Sequence, residues 1–255
     1  FNTFNGCSNL QTVVLPKNLD LEYTSNMFEG CSNLTNIVNI DSMIMKHCKH
    51  ASWMFKNCSK LGNIDVSDWE MNTMNMAGWS CGGIFSGCSS MTYFDVSRWN
   101  TSNWTTLNSM FEGTSIESID LSGWVSTKNS VDGKNHTISL GSMFSGCSKL
   151  KQVIGLEKIL DSAVNNVTSL FKDCTSLTDI SCLANCDFSN VTKIDRIFSG
   201  CTQLTTIDFN ILSNYNFSKL YSMSYAFRDC SNLTTVIFPE NQNCIALRNV
   251  ASSLT

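Results

Sequence analysis

Along the chain, apolar and polar positions recur in one short phrase. Residues 27–34 read "MFEGCSNL", 54–61 "MFKNCSKL", 143–150 "MFSGCSKL" and 226–233 "AFRDCSNL". The general form is Phe-x-(Gly/Asn/Asp)-Cys-(Ser/Thr)-x-Leu, with its Phe at positions 4, 28, 55, 85, 111, 144, 171, 198 and 227. Successive copies lie 24, 27, 30, 26, 33, 27, 27 and 29 residues apart, a period that marks a stacked repeat array rather than a set of independent domains. No linker or shift of composition interrupts it, so residues 1–255 are expected to form one continuous array.

The third position of the phrase is Gly, Asn or Asp in every copy, the residue types that most readily accept a left-handed backbone. A short helix or 3-10 turn is therefore predicted before each of these residues, with the Phe facing inward. A short strand is predicted after it, clearest in "LGNIDVSDW" (61–69), "MTYFDVSRW" (91–99) and "IESIDLSGW" (116–124). Alternation puts Ile64 and Val66, Phe94 and Val96, Ile119 and Leu121 on the core side. Asp65, Asp95 and Asp120 then face outward at matched places, with Asp208 aligned in a later copy and Tyr93 beside them. A unit this small cannot bury its apolar face alone; it is stable only against its neighbours.

Composition narrows the function. Charged residues make up 15% and hydrophobic residues 42%, so the chain is neither disordered nor highly charged. A net charge of −4 argues against nucleic acid or anionic membrane as the main partner. No apolar run is long enough for a membrane span. The chain starts at Phe1 and already contains the phrase by residue 10, which suggests a piece of a longer protein.

The phrase resembles the BspA-type leucine-rich repeat, and "CSNLQTVVLP" (7–16) and "CSNLTTVIFP" (230–239) are similar to it almost throughout. The middle copies, such as "FDVSRWNTSNWTTLNSMFEG" (94–113), resemble a related surface-lipoprotein repeat. One copy departs: Thr114 replaces Cys, and Ile116 comes one residue early. The resemblance implies an α/β repeat, a leucine-rich-repeat-like right-handed solenoid of about nine coils. It also implies an extracellular or surface-displayed adhesion module that binds a protein or glycan. A component of a phage virion or surface assembly, with neighbouring subunits at the solenoid ends, is one alternative. An intracellular interaction scaffold is another.

Candidate chemistry changes this picture little. Of thirteen cysteines, Cys7, Cys31, Cys58, Cys88, Cys147, Cys174, Cys201 and Cys230 hold the repeat position. Stacking would bring neighbours within disulfide reach, but a residue pointing the same way in every copy reads better as a small buried hydrophobe with a weak S–H donor. His47, Cys48 and His50, and the pair Cys182 and Cys186, do not supply a recognised set of four zinc ligands, so no metal or cofactor is expected. Trp69, Trp99 and Trp124 either fill a buried corner or offer a platform to glycan rings. The Asp stripe either binds cations or basic partners, or bonds locally to Ser67, Ser97 and Ser122. No nucleophile, paired carboxylate or phosphate loop is recognisable, and the chain is not expected to be an enzyme. Binding is assigned to Asp65, Tyr93, Asp95, Asp120 and Asp208, with the insertion 125–139 as the other candidate.

Overall fold

The computed structural model describes residues 2–71, 81–101, 104, 106–125, 137–212 and 215–240. Its unit is a tight turn around the Phe of each phrase, and successive turns stack. The N–H of Phe28 donates to the carbonyl of Met54, Phe55 to Ile84, Phe85 to Met110, Phe111 to Met143, and so on through Phe198 to Ala226. The residues two before and two after each Phe add parallel bonds, such as Asn26 to Ser52 and Gly30 to Lys56. This spine runs unbroken from Phe4 to Ala226 and makes the molecule a stacked repeat solenoid.

The turn is neither α-helix nor 3-10 helix, contrary to the sequence expectation. Two residues in it have left-handed backbones. The position two after the Phe was predicted, and φ is positive there in every copy from Gly6 (74°) to Asp229 (60°). The second lies two residues before the Phe: Asn2, Asn26, Trp53, Gly83, Ser109, Ser142, Ser169, Arg196 and Tyr225, with φ between 53° and 63°. A left-handed residue there reverses the backbone before a helical turn can close, and turns its N–H toward the next coil. For a residue other than Gly it costs about 1–2 kcal/mol. The 3-10 turns lie elsewhere, at Leu156–Lys158, Ser181–Leu183, Phe209–Ile211 and Phe217–Lys219.

Short strands follow the phrase: β1 (Thr12–Val14), β2 (Asn36–Val38), β3 (Ser118–Asp120), β5 (Gln152–Ile154), β7 (Thr206–Asp208) and β8 (Thr235–Ile237). They pair in parallel as β1–β2, β3–β5 and β7–β8. A second line precedes the phrase, where β4 (Ile138–Ser139) pairs with β6 (Val164–Asn166) and isolated bridges join Tyr23 to His50 and Lys193 to Ser222. Two of the three clearest predicted strands, at 61–69 and 91–99, do not form. In the coils whose strands pair in this line, the backbone carbonyl after the Leu or Ile accepts two N–H groups, as Gln11 does from Thr35 and Asn36. Here the side-chain oxygen of Asn63 takes those donors instead, from Thr92 at 2.8 Å and Tyr93 at 3.2 Å. A side-chain amide has replaced the ladder.

The core is a set of columns. Phe28, Phe55, Phe85, Phe111, Phe144, Phe171 and Phe198 are fully buried and stack nearly parallel, with centroids 5.3–6.2 Å apart from Phe4 to Phe198. Offset ring stacking sets this spacing, wider than the ~4.8 Å of paired strands.

Candidate functional site

The cysteine column lies beside the Phe column. Each thiol donates to the carbonyl of the Phe one coil earlier: Cys31 to Phe4, Cys58 to Phe28, Cys88 to Phe55, Cys147 to Phe111, Cys174 to Phe144, Cys201 to Phe171 and Cys230 to Phe198, at 3.0–3.1 Å. The same carbonyl also accepts the backbone N–H of the Cys in its own turn, so one oxygen serves two coils. Burial pushes the Cys58 thiol up to about 12 and the Cys147 thiol to about 11, and raises Cys88 and Cys174 well above the ordinary range. None of the described cysteines is in a disulfide. Cys7 departs from the expected buried ladder: it is exposed, because no earlier coil among the described residues packs over it.

At Thr114 the column is interrupted. The hydroxyl donates at 2.8 Å to Phe111, in its own turn, and lies 3.4 Å from the Cys147 sulfur. The Phe85 carbonyl therefore keeps the Cys88 N–H and receives no side-chain donor from the next coil. The Ser/Thr of the phrase forms a further column: Ser59 donates to Ser32, Ser89 to Ser59 and Thr175 to Ser148.

The tryptophans fill the interior. Trp69, Trp99 and Trp124 are buried and stack at 6.2 and 6.3 Å with 8° between planes. Their indole N–H groups donate to Ile40, Val66 and Val96, each one coil earlier. No ring face is offered to a glycan here.

The aspartates are at the surface but hold turns. Asp65 Oδ1 accepts the Ser67 N–H at 3.0 Å and its hydroxyl at 2.7 Å, and Asp95 does the same with Ser97 at 3.2 and 2.8 Å. Asp120 accepts from Ser122 N–H at 2.8 Å, and Asp208 caps the 209–211 turn through Asn210 N–H at 2.9 Å. The serine bonds hold the Asp65 and Asp120 carboxyls below their ordinary values. Asp65 and Asp120 are exposed, and Asp95 and Asp208 are half-buried. Tyr93 is 60% exposed.

The motifs around the histidines are absorbed locally. His47 Nδ1 pairs with Asp20 at 2.8 Å, the His50 ring lies 5.3 Å from Tyr23, and the Cys48 thiol donates to the His50 carbonyl. Cys186 Sγ turns to the Cys182 carbonyl at 3.6 Å. Among the described residues no group of three His, Cys, Asp or Glu side chains could hold a metal. Most of the 125–139 insertion, residues 126–136, lies outside the described residues.

One surface feature has no counterpart in the sequence motifs. Lys193, Arg196, Tyr221, Tyr225 and Arg228 are all exposed and meet in two successive coils. Arg196 and Tyr225 hold the same place in successive coils and the others hold different ones, so only stacking brings them together.

The sequence matches the family described as "Mycoplasma protein of unknown function, DUF285" over residues 2–80, 22–138 and 138–245. The chain belongs to that family. Among solved structures, the chain is similar to leucine-rich repeat proteins. One is a leucine rich cell surface protein from Faecalibacterium prausnitzii A2-165, 18% identical, covering 95% of this chain and 77% of that chain with a TM-score of 0.43. Another is a leucine-rich repeat protein from Bacteroides ovatus ATCC 8483, 14% identical, covering 92% and 82% with a TM-score of 0.37. No curated protein matches the sequence. No helix among the described residues is long and apolar enough to cross a membrane.

Proposed function

We infer that this chain is a surface-displayed binding module: one continuous array of about nine right-handed coils that engages a protein or glycan through exposed positions that differ between coils. One observation supports the reading above others. The residues that repeat are consumed internally, as Phe and Trp stacks, thiol and hydroxyl columns and left-handed turns, and the variable residues are left on the outside. A scaffold that spends its recurring residues on its own core has its variable surface free for recognition. The column of cysteines is structural in this reading, which favours binding over catalysis.

The candidate surface includes the outward carboxylates of Asp65, Asp95, Asp120 and Asp208 together with Tyr93. Each carboxylate spends one oxygen on its own turn and leaves the other for a partner. Asn preserves the turn bond and removes the charge, so it separates the two roles. The test is binding of the purified chain to host cells or extracellular matrix, with Asp65→Asn/Asp95→Asn/Asp120→Asn and Tyr93→Ala as variants. Weaker binding by folded variants is the expected result. Failure of the unaltered chain to bind either preparation overturns the reading.

A further inference from the structure

We propose that the ridge formed by Lys193, Arg196, Tyr221, Tyr225 and Arg228 is a binding site for an anionic polysaccharide, one carrying sulfate or uronate groups. The proposal deepens the surface-binding reading and rests on it. Its first support is geometry. The Arg196 and Arg228 guanidinium carbons lie 5.2 and 5.5 Å from the centre of the Tyr225 ring, and Lys193 Nζ lies 5.1 Å from that of Tyr221. One ring thus gathers two cations of the same sign, and the Arg196 N–H to Ser224 carbonyl bond, 2.9 Å, fixes the two coils that carry them. Arg228 Nε pairs with its neighbour Asp229 at 3.3 Å; among the described residues Lys193 and Arg196 form no ion pair. The carboxylate nearest in sequence, Asp195, is turned to the Ser222 hydroxyl and the Ser224 N–H.

The second support is independent of charge. The position two before each Phe must be left-handed, and six of the nine copies use Asn, Gly or Ser there. The three exceptions are Trp53, Arg196 and Tyr225. All three are exposed, so burial does not compensate the strained backbone. All three also take part in a cation–aromatic contact, Trp53 with Lys56 at 4.6 Å. Bulky residues kept in a costly conformation at the surface are a feature of ligand clamps.

The chemistry selects the ligand class. Guanidinium groups held against a ring keep their N–H edges for bidentate bonds to sulfate or carboxylate. The exposed parts of the Tyr rings suit the C–H faces of sugar rings. A uniformly anionic membrane would repel a chain of net charge −4 beyond this ridge.

The test is calorimetric titration of the chain with heparin oligosaccharide, its fully desulfated, re-N-acetylated and carboxyl-reduced counterpart, polyglutamate and phosphatidylserine vesicles. Heparin is expected to bind with an affinity that falls as salt rises, and the neutral counterpart at least tenfold more weakly. Arg196→Asn and Tyr225→Asn, which suit the left-handed backbone, are expected to fold as well as the unaltered chain and to lose tenfold or more in heparin affinity. Equal heparin binding by these variants overturns the proposal. So does equal or tighter binding of polyglutamate or vesicles, which would assign the ridge to an acidic protein or a lipid surface. Cell binding that soluble heparin does not compete overturns this inference alone; absence of any cell binding removes the surface-binding reading as well.

Discussion

The sulfur of Cys58 lies 3.0 Å from the carbonyl oxygen of Phe28, thirty residues earlier, and that oxygen also accepts the N–H of Cys31 in its own turn. The contact joins two coils through one acceptor. It explains why the phrase carries a Cys beside its Phe: a serine hydroxyl would be more polar and shorter, and an alanine would supply no donor.

Thr114→Cys should restore the missing member. A thiol there can reach the Phe85 carbonyl, so the expected effect is stabilisation by roughly 0.5–1 kcal/mol. Cys174→Ala should do the reverse, losing the bond to Phe144 and leaving a small cavity, at a cost of about 1–3 kcal/mol. Denaturant unfolding of both variants measures this; a Thr114→Cys chain less stable than the original would refute the ladder account.

Burial raises the ladder thiols above their unfolded value of 9.0, Cys58 to about 12 and Cys147 to about 11. In that window the folded chain keeps protons that the unfolded chain has lost, so stability falls as pH rises. It is fully present below pH 9 and declines above it. Thermal melts across pH 7–11 should show a plateau followed by a fall. In the native state at pH 8, a thiol reagent should label exposed Cys7 well before Cys31, Cys58, Cys88 or Cys174.

Gly123→Ala should be among the most damaging single changes. A Cβ at Gly123 would stand 1.8 Å from the Ser97 carbonyl oxygen, which is backbone and cannot swing away. The expected loss is about 2 kcal/mol or more. Gly62→Ala, with nothing within 4 Å of the added carbon, should be nearly neutral. Equal effects at the two sites would contradict the packing described.

Asp95→Ala should cost about 0.5–1.5 kcal/mol by removing the acceptor for the Ser97 N–H and hydroxyl, and Asp95→Asn much less. Melting of the two variants compares them directly. If Asn and Ala are equally damaging, the charge rather than the turn bond stabilises this corner.

The repeat, the inward Phe and the left-handed residue after it were legible because the same residue types recur at fixed places. The left-handed residue before the Phe was not, since Asn, Trp, Gly, Ser, Arg and Tyr all occur there and share no chemistry. Nor could alternation reveal that Asn63 would intercept the donors of Thr92 and Tyr93, because the residue pattern at 61–69 is that of a good strand. The buried corner was one of two readings open for the tryptophans, and the carbonyls that receive their N–H groups decide for it. The ridge around Tyr225 escaped sequence inspection because its members come together only when coils stack.

The gap in the thiol column also has a mechanical meaning. Pulled from its two ends, a stack is loaded in series, and the interface with the fewest bonds yields first. Between Phe85 and Phe111 the rings are 6.2 Å apart and the side-chain bond to the Phe85 carbonyl is absent. A tether built from this chain would lack, at that one interface, the thiol bond that joins its other coils along this column.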